Sequence, residues 1–428
     1  MRDILITAMV FGSLLLILRK PYIGILVWSW LSYMNPHRLS WGFAYDMPFA
    51  QIVAITLFTS IIFSKDRKSV PLNGLTIAWG AFLLWMTLTT VVALYPDIAT
   101  TYYIRILKIQ LITFLTILLI TDQERLNKLI WVVVLSIGFF SIKGGVFTIL
   151  SGGGFRVWGP PGSFMEENNA LALATLMMLP LMYYLYKISK EKWVKYFLIF
   201  GMASSFCSAI GSQSRGALLA VLAVAGFFWL KSSSKLATGF LIILVGLSGF
   251  NFMPDSWFDR MSTIETFDED ASAMGRINAW EYSINIANDR LTGGGLKAWT
   301  YETFSKYAPN PLDVHAAHSI YFGVLGDHGW PGLTLYLLVL MLTWRSLSKI
   351  IKSTKGIEGA LEVNTLAKMI QVSLIAFLTG GAFLSLPYFD LPWLFVALTL
   401  ILRRQLKEEQ VENSKNITDV GLRAEEVR

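Results

Sequence analysis

Apolar runs of roughly twenty residues recur along the chain, separated by short basic or glycine- and proline-rich joints. That is the length a helix needs to cross about 30 Å of hydrocarbon. The runs predict helical spans near 47–63, 72–94, 103–120, 129–150, 169–186, 195–210, 215–230, 236–251, 319–344, 366–384 and 388–402. Ahead of them, residues 4–18 and 22–34 are two shorter apolar stretches split by Arg19-Lys20-Pro21, forming either one broken crossing or a helical hairpin. The pattern predicts an all-α polytopic membrane protein with about twelve transmembrane helices. Residues 1–251 and 319–404 are expected to form the transmembrane domain, 252–318 one large loop, and 405–428 a polar tail. No internal repeat is evident, and no cleavable leader is expected, because a polar n-region and a small-residue cleavage site are missing.

Composition agrees. Of 428 residues 54% are hydrophobic and 15% charged, whereas soluble domains run at ~45–50% apolar and ~25% charged. One cysteine, Cys207, excludes a disulfide framework and a thiolate cluster. The net charge of +7 does not imply nucleic acid, because lysines and arginines of membrane proteins first encode topology. One set of loops carries Lys65, Arg67, Lys68, Arg125, Lys128, Lys187, Lys190, Lys192, Lys195, Lys231 and Lys235. The same side takes Arg345, Lys349, Lys352, Lys355, Arg403, Arg404 and Lys407. These loops alternate correctly and are expected to be cytoplasmic. The opposite face receives 35–46, 95–102, 151–168, 211–214, 252–318 and 385–387. Within spans, Arg105 and Lys108 stand one turn apart and read as residues snorkelling to lipid phosphates.

The external loop 252–318 holds ten acidic and five basic residues. In 273–289, Ile277, Trp280, Ile284 and Ala287 recur at helical spacing, predicting an amphipathic helix lying on the membrane domain. Ionisable side chains in external loops are costly near lipid, so they mark candidate chemistry.

Three external segments stand out. Lys143-Gly144-Gly145 precedes 152–162, where glycines surround Arg156; they are expected to let backbone approach a ligand, with Arg156 offering a fork for phosphate oxygens. Arg215 heads a span within Ser214-Arg215-Gly216, either as a snorkelling residue or as an anion site with the helix N-terminus. Arg290 precedes Gly293-Gly294-Gly295, and His315, His318, Asp327 and His328 follow. Three of the four histidines fall here, and histidine suits proton transfer near neutral pH. His318, at the head of a span, is the favoured base, whereas His328 reads as a turn residue at a Gly-Pro helix break. His315 and His318 stand three apart, but no third ligand follows at characteristic spacing, so no metal is expected. On one unbroken helix Arg276 and Arg290 would lie ~21 Å apart, so they cannot grip one pyrophosphate together. Arg290 is expected to take the polyanion, and Arg276 to anchor the helix or contact a second substrate. Arginines and histidines without an acidic metal box suit a polyanionic leaving group and a hydroxyl deprotonated by histidine.

These residues resemble the O-antigen ligase family of the O-antigen ligase/polymerase superfamily. The resemblance is carried by Ser214-Arg215-Gly216, Gly275-Arg276 with Trp280, the glycine turn after Arg290, and the segment from His318 to Gly332. Where the family's last motif usually has Asn and Glu, this chain has Ser319 and Asp327. The start, from Arg19-Lys20-Pro21 to His37, is similar to an exosortase-associated O-glycosylation ligase subgroup. The resemblance implies a GT-C-like, metal- and cofactor-independent, inverting transfer of glycan from undecaprenyl pyrophosphate to a lipid A–core sugar hydroxyl, on the periplasmic side of the inner membrane. By position His318 would be the general base, and Arg215, Arg290 and Arg156 would hold the pyrophosphate. Arg276, His315, Asp327 and Lys143 would support the site or the acceptor. A polymerase or a protein O-oligosaccharyltransferase of the same superfamily is the alternative, and a membrane transporter the alternative from another class.

Overall fold

The computed structural model describes residues 1–232, 234–255, 257–258 and 271–426, and no strand occurs among them. Every predicted run is a helix. In chain order they are α1 (Arg2–Arg19), α2 (Tyr22–Met34), α3 (Phe49–Phe63), α4 (Gly74–Val91), α5 (Pro96–Leu119), α6 (Gln123–Leu150), α7 (Asn168–Ile188), α8 (Lys192–Gly211), α9 (Arg215–Lys231) and α10 (Lys235–Phe252). The loop contributes α11 (Ala271–Asp289) and α12 (Tyr301–Tyr307), followed by α13 (Ile320–Ser353), α14 (Leu361–Gly380) and α15 (Asp390–Glu426). Local chemistry sets several starts. The Asn73 side chain accepts from Leu75 and Thr76 N–H at 2.9 and 3.3 Å, capping α4. Asp122 caps α6 through Arg125 N–H at 2.9 Å, and Pro96 opens α5 where no N–H is needed.

Seven of the described helices are long and apolar enough to cross a membrane: α4, α5, α6, α7, α8, α13 and α14 with the short turn after it. The expectation of about twelve rested on counting apolar runs. Some runs make helices shorter than a bilayer, 13 residues in α2 and 15 in α3.

The start of the chain is a hairpin. Asp3 at the head of α1 accepts from Gly42 and Ala44 N–H, in the loop that follows α2. At the other end, Ser60 near the end of α3 donates to the Ile17 carbonyl at 2.7 Å. α1 and α2 therefore run antiparallel through the turn at Lys20-Pro21.

The two sets of loops lie at opposite ends of the bundle. At the basic end Arg125 pairs with Asp66 at 2.9 Å, Lys68 pairs with Glu408 at 3.2 Å, and Asn127 bonds Glu362. Arg404 donates there to the Ile117 and Ile120 carbonyls at 2.6 Å, closing the end of α5. At the other end Asn35 reaches Pro161, Asn168 reaches Ser212, and Leu94 N–H reaches Gly294. α7 is the most enclosed of the long spans.

Gly144 and Gly145 have a different purpose from the one expected of them. A Cβ on Gly145 would sit 1.7 Å from the Ser204 carbonyl, and one on Gly144 would sit 2.6 Å from Ser208 Oγ. They let α6 and α8 approach each other, as small residues do between membrane helices. α15 continues from the last apolar run into the charged tail as far as Glu426.

Candidate functional site

α11 packs along α13, and of the predicted seam Trp280 stacks on Phe322 there and Ala287 is buried. Ser283 is buried against Gly326 of α13, Ala279, Tyr282 and Ile286 are buried in a cluster with Phe304 and Tyr307 of α12, and Ile277, Trp280 and Ile284 are partly covered. The approach to α13 is close: a Cβ on Gly326 of α13 would come within 3.0 Å of Ser283 Oγ. Small side chains define this contact, and counting apolar ones does not reveal it.

A break in α13 locks the loop in place. Gly329 has φ 67° and ψ −174°, a region open essentially to glycine, and Pro331 has no N–H to offer the Asp327 carbonyl. The freed carbonyls of Gly326 and Asp327 instead accept from Gly294 and Gly295 N–H at 2.9 and 3.0 Å. A Cβ on Gly293 would lie 2.6 Å from the Gly326 carbonyl, so the glycine turn exists to meet the broken helix. His328, expected in a turn, is fully buried at this break. Its Nδ1 bonds Thr89 Oγ1 at 2.6 Å and its carbonyl accepts from Trp85 at 2.8 Å, so its work is structural.

Above the break lies a cavity of about 810 Å³ at the end of the bundle away from the basic loops. Its walls come from α5, the loop before α7, α11, the segments 296–299 and 314–319, the first two turns of α13, and 384–389. His318, His315 and Asp327 line it. His318 is half-buried with φ 43°, a backbone region that L residues seldom adopt. Both neighbours are fixed. Trp280 Nε1 donates to the Ala317 carbonyl at 2.7 Å, and its ring stacks on Phe322 at 4.8 Å. Ser319 accepts from Tyr321 and Phe322 N–H at 3.2 and 3.4 Å, capping α13. Serine is as good a cap as asparagine, so this position works with either.

Burial is the main reason the His318 imidazole is held below its ordinary pKa; the Arg276 guanidinium adds to it, Glu167 opposes, and His315 and Lys297 lower it further. The ring is thus kept neutral, as a base requires. Asp313 bonds His315 at 2.6 Å, orienting that ring at the rim. Asp327 accepts from the Tyr388 hydroxyl at 3.0 Å and from Lys297 N–H at 3.3 Å, so it fixes the cavity floor.

The arginines distribute differently from the expectation. α11 is unbroken, so Arg290 lies at the end away from Arg276. Its guanidinium donates to the Gly293 carbonyl at 2.9 Å and to the Val92 carbonyl at 3.0 Å, stapling the glycine turn to the end of α4. Arg215 is the first residue of α9, behind the Ser214 cap. Arg156 is exposed in the loop after α6, and Lys143 is exposed on α6 two turns before its end. Among the described residues, none of these four lines the cavity.

Two other cations do. Arg105 and Lys297 both line it, and both stand over the ring of Tyr102, at 5.3 and 4.8 Å. Lys297 was not singled out in the sequence, although a lone lysine beside Trp299 in an external segment departs from the positive-inside trend.

Residues 197–337 match the family described as O-antigen ligase, and residues 1–190 match a family of unknown function, DUF5935. No curated protein matches the chain. The ligase match takes in α9, α11, the glycine turn, His318 and the break in α13. Residues 197–337, the part that holds His318 and the broken helix, are thus similar to the O-antigen ligase family.

Proposed function

We propose that the chain is an O-antigen ligase: an inverting, metal-independent glycosyltransferase that moves a glycan from undecaprenyl pyrophosphate to a sugar hydroxyl of lipid A–core. The observation carrying this reading is the cavity in which His318, buried enough to stay neutral, meets Arg105 and Lys297 at one end of a helical bundle. In the step, the His318 imidazole accepts the proton of the acceptor hydroxyl. The oxygen attacks the anomeric carbon from the face opposite the leaving group. The bond from that carbon to the phosphate oxygen breaks, and the pyrophosphate leaves with the electron pair, so the configuration inverts. A general base of this kind contributes about 10²–10⁴-fold, and cations stabilising the leaving group add to it. Arg276, whose charge reaches His318, supports the base. Arg156, Arg215, Arg290 and Lys143 do not line this cavity among the described residues.

The basic loops argue that the opposite end, and hence the cavity, faces the periplasm, with the C-terminus in the cytoplasm of an inner-membrane protein. About twelve crossings of GT-C-like character complete the reading. The test is purified protein in detergent with a defined lipid-pyrophosphate donor and lipid A–core. Glycan appearing on lipid A–core supports the ligase. Glycan extended on the lipid carrier, or added to a protein acceptor while lipid A–core stays unmodified, overturns it.

A further inference from the structure

Arg105 and Lys297 come from parts of the chain nearly two hundred residues apart, yet they share one aromatic support. Tyr102 and Arg105 lie one turn apart on α5, and Lys297 follows the glycine turn. The Lys297 ammonium stands 4.8 Å from the Tyr102 ring and 4.4 Å from the Trp299 ring. Its backbone is held at φ 62° and is fixed by its N–H to Asp327 at 3.3 Å. Positive φ on a lysine is uncommon and costs free energy unless its surroundings enforce it. The backbone is tightly packed here: Gly295, two residues earlier, lies against Ala93, where a Cβ would approach to 2.3 Å.

Three carboxylates also line the cavity. Glu166 accepts from Gly162 N–H at 2.8 Å, Glu167 acts on His318, and Asp327 holds the Lys297 backbone. Neither Arg105 nor Lys297 makes an ion pair among the described residues. The distinction is physical. A carboxylate partner would orient a cation and also neutralise it, whereas an aromatic face orients it and leaves its charge for a ligand. Two such cations on one ring, facing a cavity of about 810 Å³, make a preorganised oxyanion cradle.

We propose that Arg105 and Lys297, mounted on Tyr102, form a phosphate-oxyanion subsite in the cavity that holds His318. This deepens the glycosyl-transfer reading and rests on it only for the identity of the ligand. The shared chemistry is a phosphate group, which could come from the diphosphate of the donor or from a phosphorylated acceptor.

The test uses the full chain in detergent, titrated with inorganic pyrophosphate and separately with a sugar phosphomonoester, without turnover. Arg105→Gln and Lys297→Gln should each weaken binding of the favoured anion about ten-fold or more, the effect of losing one charge-assisted contact. Lys297→Arg and Tyr102→Phe, which keep the charge and the ring, should stay within about three-fold of wild type. These conservative variants keep the test informative if a glutamine variant fails to fold. A raised KM for donor in Arg105→Gln and Lys297→Gln points to the donor diphosphate, and a raised KM for acceptor to the phosphorylated acceptor. Anion binding unchanged in folded glutamine variants overturns the subsite while leaving transfer untouched. Loss of binding in those variants, in a protein that transfers no glycan, upholds the subsite and overturns the transfer reading.

Discussion

Gly329→Ala tests whether the break in α13 places the loop over the bundle. At φ 67° and ψ −174° an alanine would be strained by about 1–3 kcal/mol. Its Cβ would also meet the Leu291 carbonyl oxygen at 2.1 Å, a backbone atom that cannot swing aside. Relief requires the glycine turn to move, which breaks the bonds from Gly294 and Gly295 N–H to the Gly326 and Asp327 carbonyls. Each is worth about 0.5–1.5 kcal/mol, so the local opening should become easier by about 2–6 kcal/mol in all. The assay is hydrogen exchange of peptides covering 290–299 in detergent. Exchange there should rise about thirty-fold or more, while the basic end of the bundle keeps its protection. Equal protection of 290–299 in variant and wild type would show that the turn does not depend on the break.

Ser319→Ala removes the cap of α13 and should cost about 0.5–2 kcal/mol in thermal unfolding, whereas Ser319→Asn should restore it. Because burial first, and then Arg276, hold His318 below the ordinary histidine pKa, the base should stay neutral and transfer should persist at pH 6.5. Activity should fall as pH drops through the lowered pKa. In Arg276→Gln that acid limb should move to higher pH, measured as the pH profile of kcat/KM; an unmoved limb excludes the guanidinium as a cause.

Much of the fold is legible because crossing a bilayer demands long apolar helices, and these are visible without any knowledge of their partners. The hairpin at Lys20-Pro21 was not, since a proline joint permits both a kink and a reversal, and only contacts with 42–44 decide between them. On α11, Ala279 and Ser283 are buried for their size, not their apolarity, so apolar periodicity does not show them. His318 stands out in the sequence as one of few histidines, at the head of a span, and it does line the cavity. Arg290 stands out equally, beside a glycine turn, yet its donors go to Gly293 and to Val92, a residue far away in the chain. Lys297 shows in the sequence only as a lysine beside Trp299, because its second partner ring arrives from α5.

The most direct measurement is single-turnover transfer by His318→Ala and His318→Gln in purified, folded protein supplied with donor and lipid A–core. If His318 is the general base, both variants lose about 10²–10⁴-fold in rate while still binding inorganic pyrophosphate. Transfer within a few-fold of wild type in either variant would contradict that role.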